Sequence, residues 1–130
     1  MAQANLSDAP TVAQDDTIYV ALELSRAKWL MVLCVGPGGK LSRHQLSAGD
    51  VDGALHLVDR ARRGRPLRVV SCYEAGPDGF WLHRRLHSAG IANVVIAPSS
   101  LPVARRARRR KPARLDAQAM VQALIDWFRG

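Results

Sequence analysis

The stretch TIYVALELSRAKWLMVLCV, residues 17–35, decides the fold of this chain. Its first eight residues alternate between two faces, with Ile18, Val20 and Leu22 on one of them. A period of two predicts a β-strand. The second apolar run, residues 29–35, is followed by a Gly-Pro-Gly-Gly turn, after which residues 40–46 return as a third strand. We therefore predict three antiparallel strands joined by short turns.

Helices and strands alternate in the rest of the chain. The pattern predicts a helix, a strand, a helix and a strand at residues 50–64, 67–72, 79–89 and 91–97. Asp50 is a good N-cap for the first helix, and a last helix begins near Pro112 and extends to Phe128. The predicted class is α/β, a mixed sheet with the order β-β-β-α-β-α-β-α. The ribonuclease H-like fold has this order, whereas flavodoxin-like and Rossmann folds begin with a βαβ unit.

Length and composition limit the class of protein. The chain has 130 residues, enough for one domain, and its 48% hydrophobic and 23% charged residues exclude a disordered or membrane-spanning chain. Residues 1–16 are polar, so we expect a disordered leader before a domain at residues 17–130. Cys34 and Cys72 lie in apolar runs without zinc-ligand spacing. Two buried, reduced thiols indicate a cytoplasmic protein.

Aromatic and histidine side chains fall where packing or exposure explains them. Five aromatic residues lie on apolar faces, where we expect core packing rather than base stacking: Trp29, Phe80, Trp81, Trp127 and Phe128. His83 and His87 are four residues apart on a predicted helix, but no acidic partner accompanies them. We expect both histidines at the surface.

Basic charge is concentrated in one segment. Lys and Arg outnumber Asp and Glu by 19 to 11, and sixteen of the 19 are Arg, whose planar guanidinium matches phosphate oxygens. Residues 79–115 contain nine basic residues and no acidic one. The Arg cluster is the densest part and comprises Arg105, Arg106, Arg108, Arg109, Arg110, Lys111 and Arg114. Contact with nucleic-acid phosphate is the functional interpretation, and a solvated loop that adds only solubility is the alternative.

Three acidic residues are candidates for a metal site. Glu23 lies within the first apolar strand and Glu74 at the end of the fourth, where a carboxylate needs a partner such as a metal ion or an Arg. In a ribonuclease H-like sheet these strands are neighbours, so the two side chains converge. Asp116 lies in the first turn of the last helix, and three carboxylates suit Mg²⁺ or Mn²⁺. Alternatively, Glu23 faces solvent, Glu74 is a loop residue and Asp116 only interacts with the helix dipole.

Three strings give the chain a family resemblance. They are YVALELS at residues 19–25, YEAGPDGFWLHR at residues 73–84 and KPARLDA at residues 111–117. These strings resemble the N-terminal domain of the insertion sequence one-ten family of transposases. The family's name DEDD denotes four acidic residues in a RuvC-like, ribonuclease H-type fold. The resemblance covers roughly residues 17–128, and the middle string is the most specific.

The resemblance implies a site and partners. Glu74 and Asp116 match the second and fourth family acids, Glu23 stands at the first, where the family more often has Asp, and the third falls on Ala113. The three carboxylates are thus the implied catalytic and metal-binding residues, holding Mg²⁺ or Mn²⁺ for DNA strand cleavage and transfer, with the Arg cluster on phosphate. The implied partners are DNA and an element-encoded guide RNA; a homo-oligomer is left open, and no membrane is involved.

Three functional hypotheses remain open at this point. Members of the family continue into a C-terminal domain with a catalytic Ser, so the first hypothesis is a truncated or degenerate copy of a DNA transposase. The second is a non-catalytic nucleic-acid-binding module that keeps the fold and the basic segment, which Ala113 favours. The third is a remnant of a transposon gene without a present function.

Overall fold

The computed structural model describes residues 17–36, 38–76, 80–97 and 116–129. Within these ranges the chain forms five strands and three helices. In chain order they are β1 (Thr17–Leu24), β2 (Lys28–Val35), β3 (Leu41–Ser47), α1 (Val51–Arg62), β4 (Arg68–Glu74), α2 (Trp81–Ser88), β5 (Ala92–Ile96) and α3 (Ala117–Arg129). Each predicted strand is therefore present, with ends that agree to within two residues.

The strand β1 is the centre of a five-stranded mixed sheet. The strand order is β3-β2-β1-β4-β5, and β2 is antiparallel to both β1 and β3. The antiparallel arrangement predicted for residues 17–46 is thus confirmed. On the other side of β1, β4 runs parallel to it, and β5 runs parallel to β4. The result is an α/β architecture that is compatible with a ribonuclease H-like fold.

Helices cover both faces of the sheet. Ile18, Val20 and Leu22 of β1 pack with α1 and α2 in one core. Tyr19 and Ala21, on the opposite face of the same strand, pack against α3 in a second core. The alternation in β1 therefore separates two buried faces of a central strand, rather than one buried and one solvated face.

Local hydrogen bonds fix the two ends of α1. The Asp50 carboxylate accepts a hydrogen bond from the Gly53 N–H at 2.9 Å, so the predicted N-cap is confirmed. At the other end Arg63 takes the left-handed conformation, with φ 50°, and Gly64 follows with φ 78°. Positive φ after the last turn is a common way to end a helix. The predicted end of this helix at Gly64 lies one residue beyond that cap.

The N-terminus of α3 is capped by Asp116. Its Oδ1 accepts a hydrogen bond from the Ala119 N–H at 2.8 Å, which is the spacing of an N-cap. The helix therefore begins at Ala117. The prediction that placed Asp116 inside the first helical turn, after a start near Pro112, was wrong. A proline marks where a helix can start, but the side chain that satisfies the first free N–H groups decides where this helix does start.

Burial confirms part of the predicted core and corrects three aromatic positions. Trp29 is 2% exposed, and both cysteines are buried and free, as expected. Burial raises the pKa of the Cys72 thiol to about 12, which keeps it protonated at neutral pH. Phe80, Trp81 and Trp127 were predicted in the core but are 59%, 39% and 64% exposed. Phe80 and Trp81 lie at the start of α2, and Trp127 lies two residues before the end of α3.

A chain of polar side chains links β4, β5 and α2. The Ser71 hydroxyl donates to Asn93 Oδ1 at 2.7 Å, and Asn93 Nδ2 lies 2.9 Å from His83 Nδ1. Ser71 and Asn93 are 1% and 7% exposed. His83 is half-buried rather than at the surface, so that expectation was wrong for this residue. Buried polar groups in proteins are usually hydrogen-bonded. The hydrogen bonds between Ser71, Asn93 and His83 therefore help to hold α2 on the sheet.

We expect the substitution Asn93→Leu to lower the free energy of unfolding by about 1–3 kcal/mol, because the buried Ser71 hydroxyl loses its acceptor. Urea unfolding followed by far-ultraviolet circular dichroism measures this loss. The double variant Ser71→Ala/Asn93→Leu should lose less than the sum of the single variants, since it leaves no buried hydroxyl without a partner. Strictly additive losses would contradict the proposed coupling.

Candidate functional site

Glu23 and Glu74 lie side by side at the ends of two neighbouring strands. The parallel register of β1 and β4 runs to Leu22 opposite Tyr73, so the next position places Glu23 beside Glu74. Residues two apart in a strand share a face, and both glutamates continue the face that packs against α3. Both are half-buried. The structure thus brings these two predicted site residues together, and neither follows the alternative of a solvent-facing strand or a loop.

Glu23 also connects the sheet to the start of α3. The backbone N–H of Ala117 donates a hydrogen bond to Glu23 Oε1 at 3.2 Å. Ala117 is the first residue of α3 and is fully buried in the core beneath that helix. The first N–H groups of a helix lack partners within the helix and carry partial positive charge. The Glu23 carboxylate therefore satisfies one of these donors, and the helix N-terminus partly balances its negative charge.

Asp116 is adjacent to this contact in the chain, but its carboxylate caps α3. The side chain is exposed and lines a second cleft, between α3 and the β2–β3 hairpin, rather than the cleft of Glu23 and Glu74. Among the residues that the structure describes, no three His, Cys, Asp or Glu side chains are grouped closely enough to hold one metal ion. Of the three predicted acids, Glu23 and Glu74 therefore form a pair, and Asp116 is the N-cap of the neighbouring helix α3.

A cleft of 920 Å³ opens above the two glutamates. It lies at the carboxyl ends of β1 and β4, the edge at which open α/β sheets bind their ligands. Glu23 and Glu74 supply its negative charge, Arg26 contributes an exposed cation, and Trp29 and Trp81 are part of its apolar lining. A cleft of this size and mixed chemistry can accommodate a nucleotide-sized group.

Several predictions fall outside the described residues. They are the leader at residues 1–16, the replaced family acid at Ala113 and the whole Arg cluster, namely Arg105, Arg106, Arg108, Arg109, Arg110, Lys111 and Arg114. Phosphate contact by the Arg cluster therefore stays a prediction. The cluster is followed in the chain by Asp116, the cap of α3.

A second group of basic residues, the basic turn, was missed in the sequence. It runs from the last turn of α1 to the first residue of β4 and contains Arg60, Arg62, Arg63, Arg65 and Arg68. All of these except Arg62 are exposed, and Arg62 pairs with Asp59 at 3.3 Å. Counted over residues 1–78, nine basic residues balance nine acidic ones, which hides the local excess. Counting charge in a window of nine residues would have found it.

The basic turn lies at the edge of the sheet opposite the cleft. It ends at Arg68, the first residue of β4, whereas Glu74 is the last residue of the same strand. Six strand steps of about 3.3 Å separate the two residues, which is about 20 Å. Backbone hydrogen bonds from Arg63 to Arg60 and from Arg65 to Arg62 hold the turn in shape. It is therefore a fixed positive surface, separate from the carboxylates.

Two curated bacterial proteins are similar to this chain in sequence. "Putative transposase y4rJ" of Sinorhizobium fredii is 42% identical over 95% of the chain. "Putative transposase y4qE" of the same organism is 41% identical over 43% of the chain. These homologues support a transposase family. No family model matches the chain.

The similarity to y4rJ takes in nearly the whole chain and therefore the fold that carries the cleft. The chain spans 33% of the length of y4rJ, and the matched segment spans 14% of the length of y4qE. The transposase part of the family resemblance is thus supported by sequence similarity. In the described part of the chain, no helix combines the length and the apolar character needed to cross a membrane.

Proposed function

We propose that this chain is a RuvC-like, ribonuclease H-type domain that cleaves and transfers DNA strands as part of a transposase. The placement of Glu23 beside Glu74, at the carboxyl ends of two parallel neighbouring strands, carries the proposal. The strand order of the sheet supports the fold assignment. The transposase-named homologues support transposition as the biological reaction.

The donor set fits a divalent cation in part. Glu23 and Glu74 offer carboxylate oxygens on one sheet face, and Mg²⁺ and Mn²⁺ prefer such ligands. Asp116 is the proposed third ligand, since it directly precedes Ala117, whose N–H contacts Glu23. To reach the cleft its carboxylate must leave the helix cap, at a cost of about 1 kcal/mol. When bound, the cation polarises a phosphate and activates the attacking hydroxyl.

The proposed DNA lies against basic surfaces of the chain. The Arg cluster would contact phosphate, and so would the basic turn, at the end of the sheet opposite the cleft. Counterions are released from each phosphate that an Arg neutralises, so affinity should fall steeply with salt. The insertion sequence one-ten resemblance adds an element-encoded guide RNA as a proposed partner. A second copy of the chain is a further proposed partner, and the two cysteines favour the cytoplasm.

A second candidate function is a degenerate, non-catalytic module that binds nucleic acid. The carboxylate of Asp116 is engaged in capping α3, which favours this candidate. The replacement of one family acid by Ala113 agrees with it. Such a module keeps the basic surfaces and binds DNA without a metal ion. The two candidates therefore differ in metal binding, not in affinity for polyanions.

Metal binding by the purified chain tests the proposal. We expect Mn²⁺ to bind at millimolar or lower concentration, as measured by electron paramagnetic resonance of the free ion. Glu23→Gln and Glu74→Gln should each weaken binding at least about tenfold, because a neutral amide replaces a charged ligand. Asp126→Asn is the matched control, since Asp126 is exposed on α3 and accepts a hydrogen bond from Gln122.

The result decides between the two candidates. A chain that binds neither Mn²⁺ nor Mg²⁺ at millimolar concentration rules out the catalytic proposal. Binding of duplex DNA in EDTA that weakens as salt is raised would then establish the binding module. Asp116→Asn adds a separate test of the third ligand, since it should weaken Mn²⁺ binding only if the carboxylate leaves its cap.

A further inference from the structure

Two large aromatic side chains stand exposed at the start of α2. Phe80 is 59% exposed and Trp81 39% exposed. Trp81 lines the cleft that holds Glu23 and Glu74. Exposing an indole to water is unfavourable, and large apolar surface next to a polar cleft is typical of a binding site. The exposed ring of Trp81 in the cleft therefore indicates a ligand that packs against it.

The indole of Trp81 lies beside the buried ring of Trp29. Its ring lies 6.2 Å from that of Trp29, centroid to centroid, at an interplanar angle of 30°. Trp29 is 2% exposed and belongs to the core beneath α1 and α2. Because its neighbour is fixed in the core, Trp81 needs little further ordering to receive a planar group. A preorganised aromatic ring loses less conformational entropy when it binds.

The cleft joins this apolar ring to charged groups. Glu23 and Glu74 are the acidic side chains of its lining, and Arg26 contributes an exposed guanidinium. A nucleotide combines a flat base, which stacks on aromatic rings, with an anionic phosphate, which needs a cation. Arg26, with a metal ion on the carboxylates, matches the phosphate, and Trp81 matches the base.

We propose that Trp81 is a stacking platform for an unpaired base of the DNA strand whose phosphate lies over Glu23 and Glu74. The base must be unpaired, because a base inside a duplex already stacks on its neighbours and exposes only its edges. The assignment rests on the proposed function for the location of the phosphate. The stacking assignment specifies the state of the DNA substrate, a strand that is opened or distorted at the site.

Binding of a short oligodeoxythymidylate by the full chain in EDTA tests the proposal. Without divalent cations no cleavage occurs, and the same titration is repeated in Ca²⁺, an oxygen-ligated cation that can neutralise the two carboxylates beneath the phosphate. We expect the strand to quench tryptophan fluorescence in the unmodified chain and in Trp127→Phe, but much less in Trp81→Phe. Trp127 is the matched control, since it is 64% exposed on α3 and does not line this cleft.

Affinity is measured separately by fluorescence anisotropy of the labelled strand. Trp81→Ala should weaken binding about 5- to 150-fold, the range found for removal of one stacking partner, whereas Trp81→Phe should restore most of the affinity. An abasic strand of the same length has phosphates but no bases. It should bind the unmodified chain and Trp81→Ala equally.

The outcomes separate this proposal from the proposed function. The stacking role is overturned if Trp81→Ala and Trp81→Phe both bind the strand as the unmodified chain does, or if the chain binds it neither in EDTA nor in Ca²⁺. If Trp81→Ala fails to fold, the loss or retention of quenching in Trp81→Phe still decides. Trp81-dependent binding by a chain that takes up no Mn²⁺ would support stacking and reject the metal site.

Discussion

Replacing Glu74 by Gln should abolish the proposed strand cleavage while leaving the fold and the affinity for DNA intact. We expect the cleavage rate to fall at least about 100-fold, since even changes to the outer partners of a metal site cost 10- to 100-fold. Glu74 ends β4 beside Glu23, and the amide isostere keeps its size but removes its charge. The measurement is single-turnover cleavage of element-end DNA in Mg²⁺, with circular dichroism to verify folding.

Glu23 provides a sharper version of the same experiment. In Glu23→Gln the amide oxygen can still accept the hydrogen bond from the Ala117 N–H, so α3 should stay docked while cleavage is lost. Glu23→Leu removes both the charge and the acceptor, so it should lower stability as well. Asp126→Asn should retain full activity. Cleavage that survives in both glutamine variants would contradict a catalytic role for the pair.

The sheet could be predicted from the sequence because its strands carry local signals. Period-two alternation in residues 17–24 and the turn after residue 35 are decided by neighbouring side chains, and the antiparallel pairing follows from their short connections. The ends of the helices were harder to predict from the sequence. Pro112 suggested a start for α3, but the cap that satisfies its free N–H groups is Asp116. Asp is a favoured N-cap residue, as Asp50 shows, but only the hydrogen bond from the Ala119 N–H shows that Asp116 takes this role in α3.

The candidate site was predictable only as far as topology determines it. Once β1 and β4 are neighbours, the register places Glu23 and Glu74 together, so this pairing could be predicted from the sequence. The direction of the Asp116 side chain depends on competition between a cap and the cleft. The exposure of Trp81 depends on how α2 is oriented on the sheet, because this orientation buries Leu82 and Leu86 instead. Both features depend on tertiary structure. The sequence pattern alone predicted that Trp81 is buried.

The largest loss of stability is expected from Trp29→Ala, because Trp29 belongs both to the core and to the cleft. It is 2% exposed between the sheet and helices α1 and α2, so its removal should cost about 3–5 kcal/mol, a large part of a typical total of about 5–15 kcal/mol. Trp127→Ala removes the same side chain from a position that is 64% exposed and should change stability by less than about 1 kcal/mol. Urea unfolding followed by far-ultraviolet circular dichroism compares the two without relying on tryptophan fluorescence. Equal midpoints would contradict the placement of Trp29 in the core, and with it the fixed support that Trp81 needs to receive a base.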